Sequence, residues 1–338
     1  MISVGVLGAT GAVGQRFVQL LAGHPYFSLS VLTASSRSAG KKYREAVNWR
    51  LDAPFPEDFG DLTVSDTTIE SLKNVDLVFS ALPADLAADI EMQCAKAGIG
   101  VCSNASTYRM EPNVPLVVPE VNADHLGMID LQRDSGWDGF IVTNPNCSTI
   151  MLTCSLAPIR KFSFTDLKVA TMQAISGAGF EGIPAMSIFD NVIPYIGGEE
   201  EKMERETLKI MGTFDGSEIH NAPFSVSACC NRVPVIDGHS MSVWVNIKDQ
   251  IDKVEQAFKT WKTSLPKLPM LPEKSVQYMD QSDRPQPRLD RLKGKGMTVS
   301  VGRLRPGIRY QAMGHNTIRG AAGASILNAE LIYDRDYL

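Results

Sequence analysis

A glycine-rich turn between an apolar strand and an apolar helix, VGVLGATGAVGQRF, constrains the fold of this 338-residue chain more than any other feature. Gly8, Gly11 and Gly14 follow the strand directly and open the helix. Glycines in this position allow a tight turn and let a phosphate group approach the N–H groups of the helix start. The GxxGxxG spacing differs from the GxGxxG fingerprint, so a plain strand-to-helix turn stays open as an alternative. The turn predicts a nucleotide-binding βαβ unit.

Short β-branched runs alternate with helix-period segments over the first 150 residues, which is the pattern of βαβ units on a parallel sheet. The helical segments include 13–22 and 86–97. We therefore predict a Rossmann-like, doubly wound α/β domain. Its strands are predicted at 2–7, 29–34, 77–81, 99–102, 116–118 and 140–143.

The pattern changes after residue 146, where a long apolar helix at 147–160 precedes strands such as 167–174 and 241–247. Strands that run together, apart from the helices, predict an α+β domain with a largely antiparallel sheet. A proline-rich stretch at 265–287 is predicted to be an irregular connection. Because 338 residues exceed what one core usually supports, we expect two domains. These are residues 1–146, completed by a C-terminal helix at 316–338, and residues 147–315.

Composition limits the classes of function. The chain is 44% apolar and 21% charged with a formal net charge of −5, which is typical of a globular protein without a basic stripe for nucleic acid. No run approaches the roughly 18 apolar residues of a membrane span, and the N-terminus lacks the charged region of a signal peptide. The six cysteines show no CxxC spacing. We therefore expect reduced thiols, no metal site, no nucleic-acid or membrane partner, and a cytoplasmic location.

The end of the second predicted strand bears on the choice of nucleotide. An NAD site usually places Asp or Glu there to bind the ribose 2′-hydroxyl, but this chain reads TASSRSAGKK. Ser36, Arg37 and Ser38 offer hydroxyls and a guanidinium that suit a 2′-phosphate. This favours NADP(H) over NAD, and the alternative is a solvated polar loop.

Cys147 stands after a predicted strand and at the head of an apolar helix, with Asn146 as its N-cap. The positive end of the helix favours a thiolate there, and therefore a nucleophile. A cysteine nucleophile needs a base. His239, with Arg232 seven residues before it, is the preferred candidate, and His315 is its competitor.

The sequence resembles the aspartate-semialdehyde dehydrogenase family, in its archaeal and fungal branch. The resemblance covers essentially the whole chain, in the expected order. Its segments are GATGAVGQRF, ASSRSAGKKY, FSALPADLA, SNASTYRM, VPEVNADH, TNPNCST, MQAISGAGFEGIP, EEEKM, NRVPVIDGH, DRPQPRLDR and HNTIRGAAGAS. It implies NADPH-dependent reduction of L-4-aspartyl phosphate to L-aspartate 4-semialdehyde and phosphate, a step towards lysine, threonine and methionine. A thioester on a cysteine would carry the acyl group.

The resemblance also implies roles for particular residues. Cys147 matches the nucleophile, His239 the acid/base residue and Gln173 the residue that orients the substrate. The matching substrate contacts are Arg232 for the carboxylate, Arg109 and Lys202 for the phosphate, Asn146 beside the nucleophile, and Glu199 for the ammonium group. Glu200 and Glu201 adjoin Glu199, so the choice among the three stays open.

The same resemblance implies an NADP-binding first domain, a catalytic and dimerisation second domain, and a homodimer or homotetramer acting on a small molecule. The matching cofactor contacts are Gly8, Thr10, Gly11, Ala12, Val13, Ser36, Arg37, Ser38, Ser80, Pro83, Gly177, Gly179 and Asn316.

Three other functions remain open from the sequence. One is a related acyl-phosphate or acyl-CoA reductase, of the N-acetylglutamyl-phosphate or malonyl-CoA type. The second is a phosphorylating dehydrogenase of the glyceraldehyde-3-phosphate type. The third, from another class, is an NADP-binding redox sensor without turnover.

Overall fold

A six-stranded parallel sheet forms the centre of the first half of the chain in the computed structural model, which describes residues 1–248 and 250–338. The strand order is β3-β2-β1-β4-β5-β6, so the order reverses between β1 and β4. That is the doubly wound topology expected from the sequence. The strands are β1 (Ile2–Leu7), β2 (Phe27–Ala34), β3 (Val64–Asp66), β4 (Leu77–Ser80), β5 (Gly100–Ser103) and β6 (Phe140–Thr143).

Two details of this sheet differ from the prediction. The strand predicted at 116–118 is wrong, because the segment forms only one isolated bridge, between Leu116 and Thr143. Pro115 has no N–H to donate, and a helix already begins at Pro119, so a regular strand has no room. The three-residue strand β3 was not predicted, because its VSD sequence carries no run of apolar residues.

The helices of this half are α1 (Ala12–Leu21), α2 (Tyr43–Ala46), α3 (Ala84–Lys96), α4 (Pro119–Asn122) and α5 (Met128–Asp134). Helix α1 begins directly after the glycine turn, and α3 begins after Pro83, at the carboxyl end of β4. Both helix starts therefore lie at the point where the strand order reverses, which is where doubly wound folds bind their ligands.

The second half contains a mixed six-stranded sheet in the order β10-β7-β11-β14-β13-β12. Three of its pairings are antiparallel, and the two at the edges, β10–β7 and β12–β13, are parallel. Strand β12 lies inside the proline-rich stretch that was predicted to be irregular. The strands of this half are β7 (Phe164–Gln173), β8 (Thr213–Phe214), β9 (Ile219–His220), β10 (Ser225–Arg232), β11 (His239–Ile247), β12 (Val276–Met279), β13 (Val299–Arg305) and β14 (Arg309–Gly314).

Its helices are α6 (Cys147–Leu156), α7 (Ala185–Ile188), α8 (Glu199–Ile210), α9 (Ile251–Thr260), α10 (Pro287–Asp290) and α11 (Gly323–Asp334). Helix α6 is buried on all sides from Ser148 to Leu156, and its sequence contains only apolar and small hydroxyl side chains, with no charge. Helix α8 instead carries eight charged residues, yet Glu199, Glu206 and Lys209 on it are buried. The face of α8 that carries Glu199 and Glu206 lies against the start of α6.

The chain ends by returning to the first domain. A π-helical turn, Ile318–Ala322, leads into α11, whose Ile326 and Leu331 belong to the core under the first sheet. Arg319 of this turn is fully buried and pairs with both carboxylate oxygens of Glu120, at 2.9 and 2.7 Å. Its guanidinium also contacts Cys154 Sγ of α6. The turn thus joins the first domain to the helix that Cys147 opens.

Hydrophobic cores fill both faces of the first sheet and the helix-covered face of the second. No helix in the described parts of the chain has the length and apolar character needed to cross a membrane.

Candidate active site

Cys147 is the first residue of α6, and Asn146 caps that helix as predicted. The Asn146 side-chain oxygen accepts hydrogen bonds from the N–H groups of Ser148 (2.9 Å) and Thr149 (3.2 Å). Its side-chain nitrogen donates to Glu199 Oε1 at 2.9 Å. The cap fixes the chain just before the thiol, because it ties Asn146 both to α6 and to α8.

His239 lies beside the thiol, with Nε2 3.3 Å from Cys147 Sγ. The two residues are 92 positions apart and come from α6 and the first residue of β11. His315, the competing candidate, is buried and its Nδ1 accepts from Thr317 N instead. The geometry therefore pairs Cys147 with His239.

The backbone of Ala174 holds both His239 and Arg232. Its N–H donates to His239 Nδ1 at 3.0 Å, and its carbonyl accepts from Arg232 Nη1 at 2.7 Å. Since Nδ1 is an acceptor, the proton of a neutral His239 sits on Nε2 and faces Cys147. Burial, together with the smaller effects of the charges of Arg232 and His315, lowers the pKa of His239 to about 3. His239 is thus a neutral imidazole that donates from Nε2.

The thiol is less acidic than the sequence suggests. Burial, together with the smaller effect of the Glu199 carboxylate, raises the pKa of Cys147 to about 12. Arg109, Arg232 and the Ser148 N–H lower it, but by less. The expectation of a thiolate from the helix end alone is therefore wrong, because loss of solvation outweighs the helix dipole.

Gln173 and Gly177 complete the wall beside His239. Gln173 is buried at the end of β7, where its side-chain amide contacts Thr171 Oγ1 at 3.3 Å. A Cβ at Gly177 would lie 2.8 Å from Arg232 Nη1 and 3.2 Å from His239 Cε1. Only glycine therefore leaves these two side chains in place. Gly179, two residues on, has a φ of +78° that also favours glycine.

Helix α8 places several charged side chains at the site. Glu199 faces Asn146, whereas Glu200 accepts from Cys230 N and Glu201 is exposed, so Glu199 is the one of the three directed at the nucleophile. Lys202 is half-buried about one turn further along the helix. Arg109, from the first domain, donates a hydrogen bond from Nη1 to Glu206 Oε1 of α8 at 2.9 Å.

The two halves of the chain match the descriptions "Semialdehyde dehydrogenase, NAD binding domain" over residues 3–129 and "Semialdehyde dehydrogenase, dimerisation domain" over residues 156–319. The chain belongs to the semialdehyde dehydrogenase family. Within this family, the aspartate-semialdehyde dehydrogenase of Methanothermobacter thermautotrophicus is 54% identical over 98% of this chain and 99% of its own length. The enzyme of that name from Saccharomyces cerevisiae is 45% identical over 99% of this chain and 98% of its own length.

Solved structures agree with this placement in the semialdehyde dehydrogenase family. The crystal structure of aspartate semialdehyde dehydrogenase with NADP from Candida albicans is 42% identical, covers all of both chains and has a TM-score of 0.91. That of aspartate semialdehyde dehydrogenase II complexed with ASA from Vibrio cholerae is 27% identical with a TM-score of 0.80, over 100% of this chain and 99% of its own.

The first half of the chain contains a glycine-lined turn after β1, called here the glycine cradle (Gly8 to Val13). Gly8 has a φ of +77°, and a Cβ at Gly14 would lie 2.1 Å from the Gly8 carbonyl oxygen, so the turn closes only with glycine. Thr10 lies within the turn, Gly11 caps α1 without a side chain, and Ala12 and Val13 follow with their N–H groups at the helix start. The residues present therefore fit a dinucleotide pyrophosphate.

Five other predicted cofactor positions lie on the same side of the cleft as that turn. Ser36 and Arg37 are exposed, and Ser38 is half-buried, beyond the carboxyl end of β2, and the tip carries no carboxylate. Ser80 ends the neighbouring strand β4, and Pro83 precedes α3. The sixth, Asn316, lies across the cleft, where it accepts from Gly238 N and donates to Ser176 Oγ, both at 2.8 Å. It therefore ties the two loops that flank His239.

A cleft of about 330 Å³ runs between the glycine turn and the loop after β7. Its charged lining includes residues that the sequence did not single out, namely Arg16, Arg50, Asp52, Asp237 and Arg291. A larger cavity of about 880 Å³ along Pro25, Tyr26 and residues 261–275 shares no lining residue with the cleft.

The sequence analysis also missed a group of possible metal ligands. Asp215, Glu218 and His220 lie together on an exposed turn, with ligand atoms within 4.8 Å of one another. His220 Nε2 is 2.7 Å from Asp215 Oδ2, so the side chains already pair among themselves.

Proposed function

We propose that this chain is an NADP-dependent aspartate-semialdehyde dehydrogenase that reduces L-4-aspartyl phosphate to L-aspartate 4-semialdehyde and phosphate. The observation that carries the proposal is the convergence of Cys147 and His239 with two arginines, Arg109 and Arg232, and one carboxylate, Glu199. A substrate with a phosphate, a carboxylate and an ammonium group requires two cationic contacts and one anionic contact around the nucleophile. The names of the two relatives described above agree with this reading.

In the first step Cys147 Sγ attacks the acyl carbon, the C–O bond to phosphate breaks, and a thioester forms. Because burial keeps Cys147 as a thiol, its proton leaves as the S–C bond forms, and the departing phosphate accepts it. Arg109 and Lys202 stabilise the negative charge on that phosphate. Arg232 holds the substrate carboxylate, Glu199 its ammonium group, and Asn146 and Gln173 fix the carbonyl.

When bound, NADPH supplies the hydride that reduces the thioester carbon. His239 donates a hydrogen bond from Nε2 to the oxygen that gains negative charge. The C–S bond then breaks, the aldehyde leaves, and the Cys147 thiolate takes up a proton from solvent while His239 Nε2 donates a hydrogen bond to the sulfur. Ala174 keeps Nδ1 as an acceptor throughout, which directs the Nε2–H group of His239 towards the sulfur.

The proposed NADP site combines the glycine cradle with the tip of β2. The turn from Gly8 to Val13 would hold the pyrophosphate, and Ser36, Arg37 and Ser38 would hold the 2′-phosphate. The remaining contacts would come from Ser80, Pro83, Gly177, Gly179 and Asn316. We propose the matching domain division, with residues 1–146 and 316–338 binding NADP and residues 147–315 forming the catalytic and dimerisation domain. The presence of α11 in the first core supports this division.

We also propose an isologous homodimer, with a homotetramer as a pair of such dimers. The outer face of β10, β7 and β11 leaves Cys229 exposed and Trp244 39% exposed beside a shallow cavity of about 500 Å³. This face lies in the part of the chain that matches a dimerisation domain. Trp244→Glu should reduce the mass measured by sedimentation to that of a monomer.

A cytoplasmic location is part of the proposal, supported by six cysteines that all remain free thiols.

The decisive experiment measures NADP reduction by the purified protein with L-aspartate 4-semialdehyde, with and without phosphate. A Cys147→Ala variant serves as the control. We expect phosphate-dependent turnover that the control lacks. NADP binding without turnover would refute the proposed substrate and lead to tests of N-acetylglutamyl and acyl-CoA donors. Equal NADP binding by wild type and variant, with no aldehyde oxidation by any substrate, would favour the redox sensor.

A further inference from the structure

Glu206 of α8 is buried at the centre of the site but has no part in the chemistry proposed above. Its side chain is 2% exposed, and each carboxylate oxygen accepts one hydrogen bond. Oε1 accepts from Arg109 Nη1 at 2.9 Å, and Oε2 accepts from the backbone N–H of Asn146 at 2.7 Å. One carboxylate therefore joins the proposed phosphate-binding arginine to the residue that precedes the nucleophile.

Glu199 and Glu206 act on Asn146 from the same face of α8. They are seven residues apart, which is about two helical turns and about 10 Å along the axis. Glu199 accepts from the Asn146 side chain, and Glu206 accepts from its backbone. Asn146 is thus held at two points by one rigid helix, so the Cys147 backbone that follows it has little freedom.

Lys209, one turn beyond Glu206, secures the loop that carries Arg109. Its ammonium group donates to the carbonyl oxygens of Arg109 (2.9 Å), Glu111 (2.8 Å) and Val114 (2.8 Å). With the loop backbone fixed in this way, the remaining freedom of Arg109 is in its side chain. Glu206 and the Asn104 carbonyl, which accepts from Arg109 Nη2 at 2.7 Å, remove that freedom.

We propose that Glu206 is a positioning residue that sets the distance between the phosphate-binding guanidinium of Arg109 and the nucleophile Cys147. The proposal rests on the proposed function only in taking phosphate as the co-substrate. Fixing both groups to one carboxylate matters because an error of about 1 Å between a nucleophile and its binding group can cost about 100-fold in rate.

The Glu206→Gln variant separates the two contacts. A Gln amide has a single acceptor oxygen, and its nitrogen would face a donor. The Asn146 N–H is fixed in the backbone, so the amide oxygen stays with it and the Arg109 side chain is released. Glu204→Gln is the matched control, because Glu204 lies on the same helix and also accepts from a backbone N–H, that of Ala228.

Two measurements test the proposal. The first is steady-state kinetics of aldehyde oxidation, where Glu206→Gln should raise the KM for phosphate about tenfold or more and lower kcat. The KM for NADP should stay within about twofold, and Glu204→Gln should behave like wild type. The second is protection of Cys147 from iodoacetamide by inorganic phosphate, which should require about tenfold more phosphate in Glu206→Gln.

Protection needs no turnover, so it still tests Glu206 if the aldehyde proves to be the wrong substrate. In a double-mutant cycle with Arg109→Gln, the double variant should be no worse than Arg109→Gln alone, because Glu206 acts through Arg109. If Glu206→Gln does not fold, Glu206→Asp replaces it; its shorter side chain cannot reach both donors, and it should also raise the KM for phosphate. An unchanged KM for phosphate and unchanged protection, or equal losses in Glu204→Gln, would overturn the proposal.

Discussion

Gly320 lies directly against the nucleophile, so a single methyl group added there should slow the chemistry by displacing Cys147 itself. A Cβ at Gly320 would be 2.7 Å from Cys147 Cβ and 3.1 Å from Cys147 Cα. The first pair must separate by about 0.7 Å to reach the 3.4 Å of ordinary contact. Gly320 and the start of α6 are both buried backbone, so neither side yields easily.

The expected effect of Gly320→Ala follows from that displacement. A shift approaching 1 Å between a nucleophile and its substrate costs up to about 100-fold, so kcat should fall about 10- to 100-fold. Overpacking should also lower the free energy of unfolding by about 1–3 kcal/mol. The assay compares kcat for aldehyde oxidation with the midpoint of thermal unfolding, and NADP affinity should be unchanged.

Gly323→Ala is the matched control in the same C-terminal segment. Its Cβ would lie 2.6 Å from Met297 Sδ and 3.0 Å from Ile318 Cγ2, away from Cys147. It should lose comparable stability but keep a kcat close to wild type. A folded Gly320→Ala enzyme with wild-type kcat would refute the reasoning, and so would equal slowing by Gly323→Ala.

Three further predictions concern the catalytic pair and its neighbour. Cys147→Ser should lose nearly all turnover while binding NADP normally in a calorimetric titration; substantial residual turnover would remove Cys147 from the role of nucleophile. The rate of iodoacetamide reaction at Cys147 should rise with pH through pH 9 without levelling off, because burial raises the pKa of the thiol to about 12. The rate should show no inflection from His239 between pH 5 and 8, because burial lowers the pKa of the imidazole to about 3. A plateau below pH 8 would instead indicate a thiolate–imidazolium pair. Arg232→Lys should raise the KM for the aldehyde and lower kcat, since an ammonium group lacks the planar fork that also binds the Ala174 carbonyl; unchanged kinetics would mean that Arg232 only braces its strand.

The sequence predicted the fold of the first domain well, because the signals for its strands and turns lie in short stretches of neighbouring residues. Each apolar β-branched run needs two covered faces, and the glycines after β1 allow only a tight turn before α1. The second sheet was harder, because its edge strand β12 is four residues long within a proline-rich segment. Its pairing with β13 depends on contacts distant in sequence, which local patterns do not contain.

The site residues also divide into those that the local sequence identifies and those that depend on contacts distant in sequence. Cys147 and His239 could be singled out because their residue types and immediate neighbours carry chemistry. Glu206 and Lys209 could not, because a helix rich in Glu and Lys normally indicates a solvated face. Their burial depends on Arg109 and the loop that contains it, which pack against α8 from about 100 positions earlier in the chain. A possible signal was the interruption of that charged pattern by Met203 and Ile210, which are buried.

The return of α11 to the first core has a consequence for synthesis on the ribosome. The first six strands emerge early, but Ile326 and Leu331, which cover part of that sheet, are made only after the whole second sheet. The nucleotide-binding half must therefore keep apolar surface uncovered while the entire second half is translated. Arg319, held between Glu120 and Cys154, can take its place only after both of these partners are folded. The cofactor half and the surroundings of the nucleophile are therefore completed together, and only after the second half has been translated.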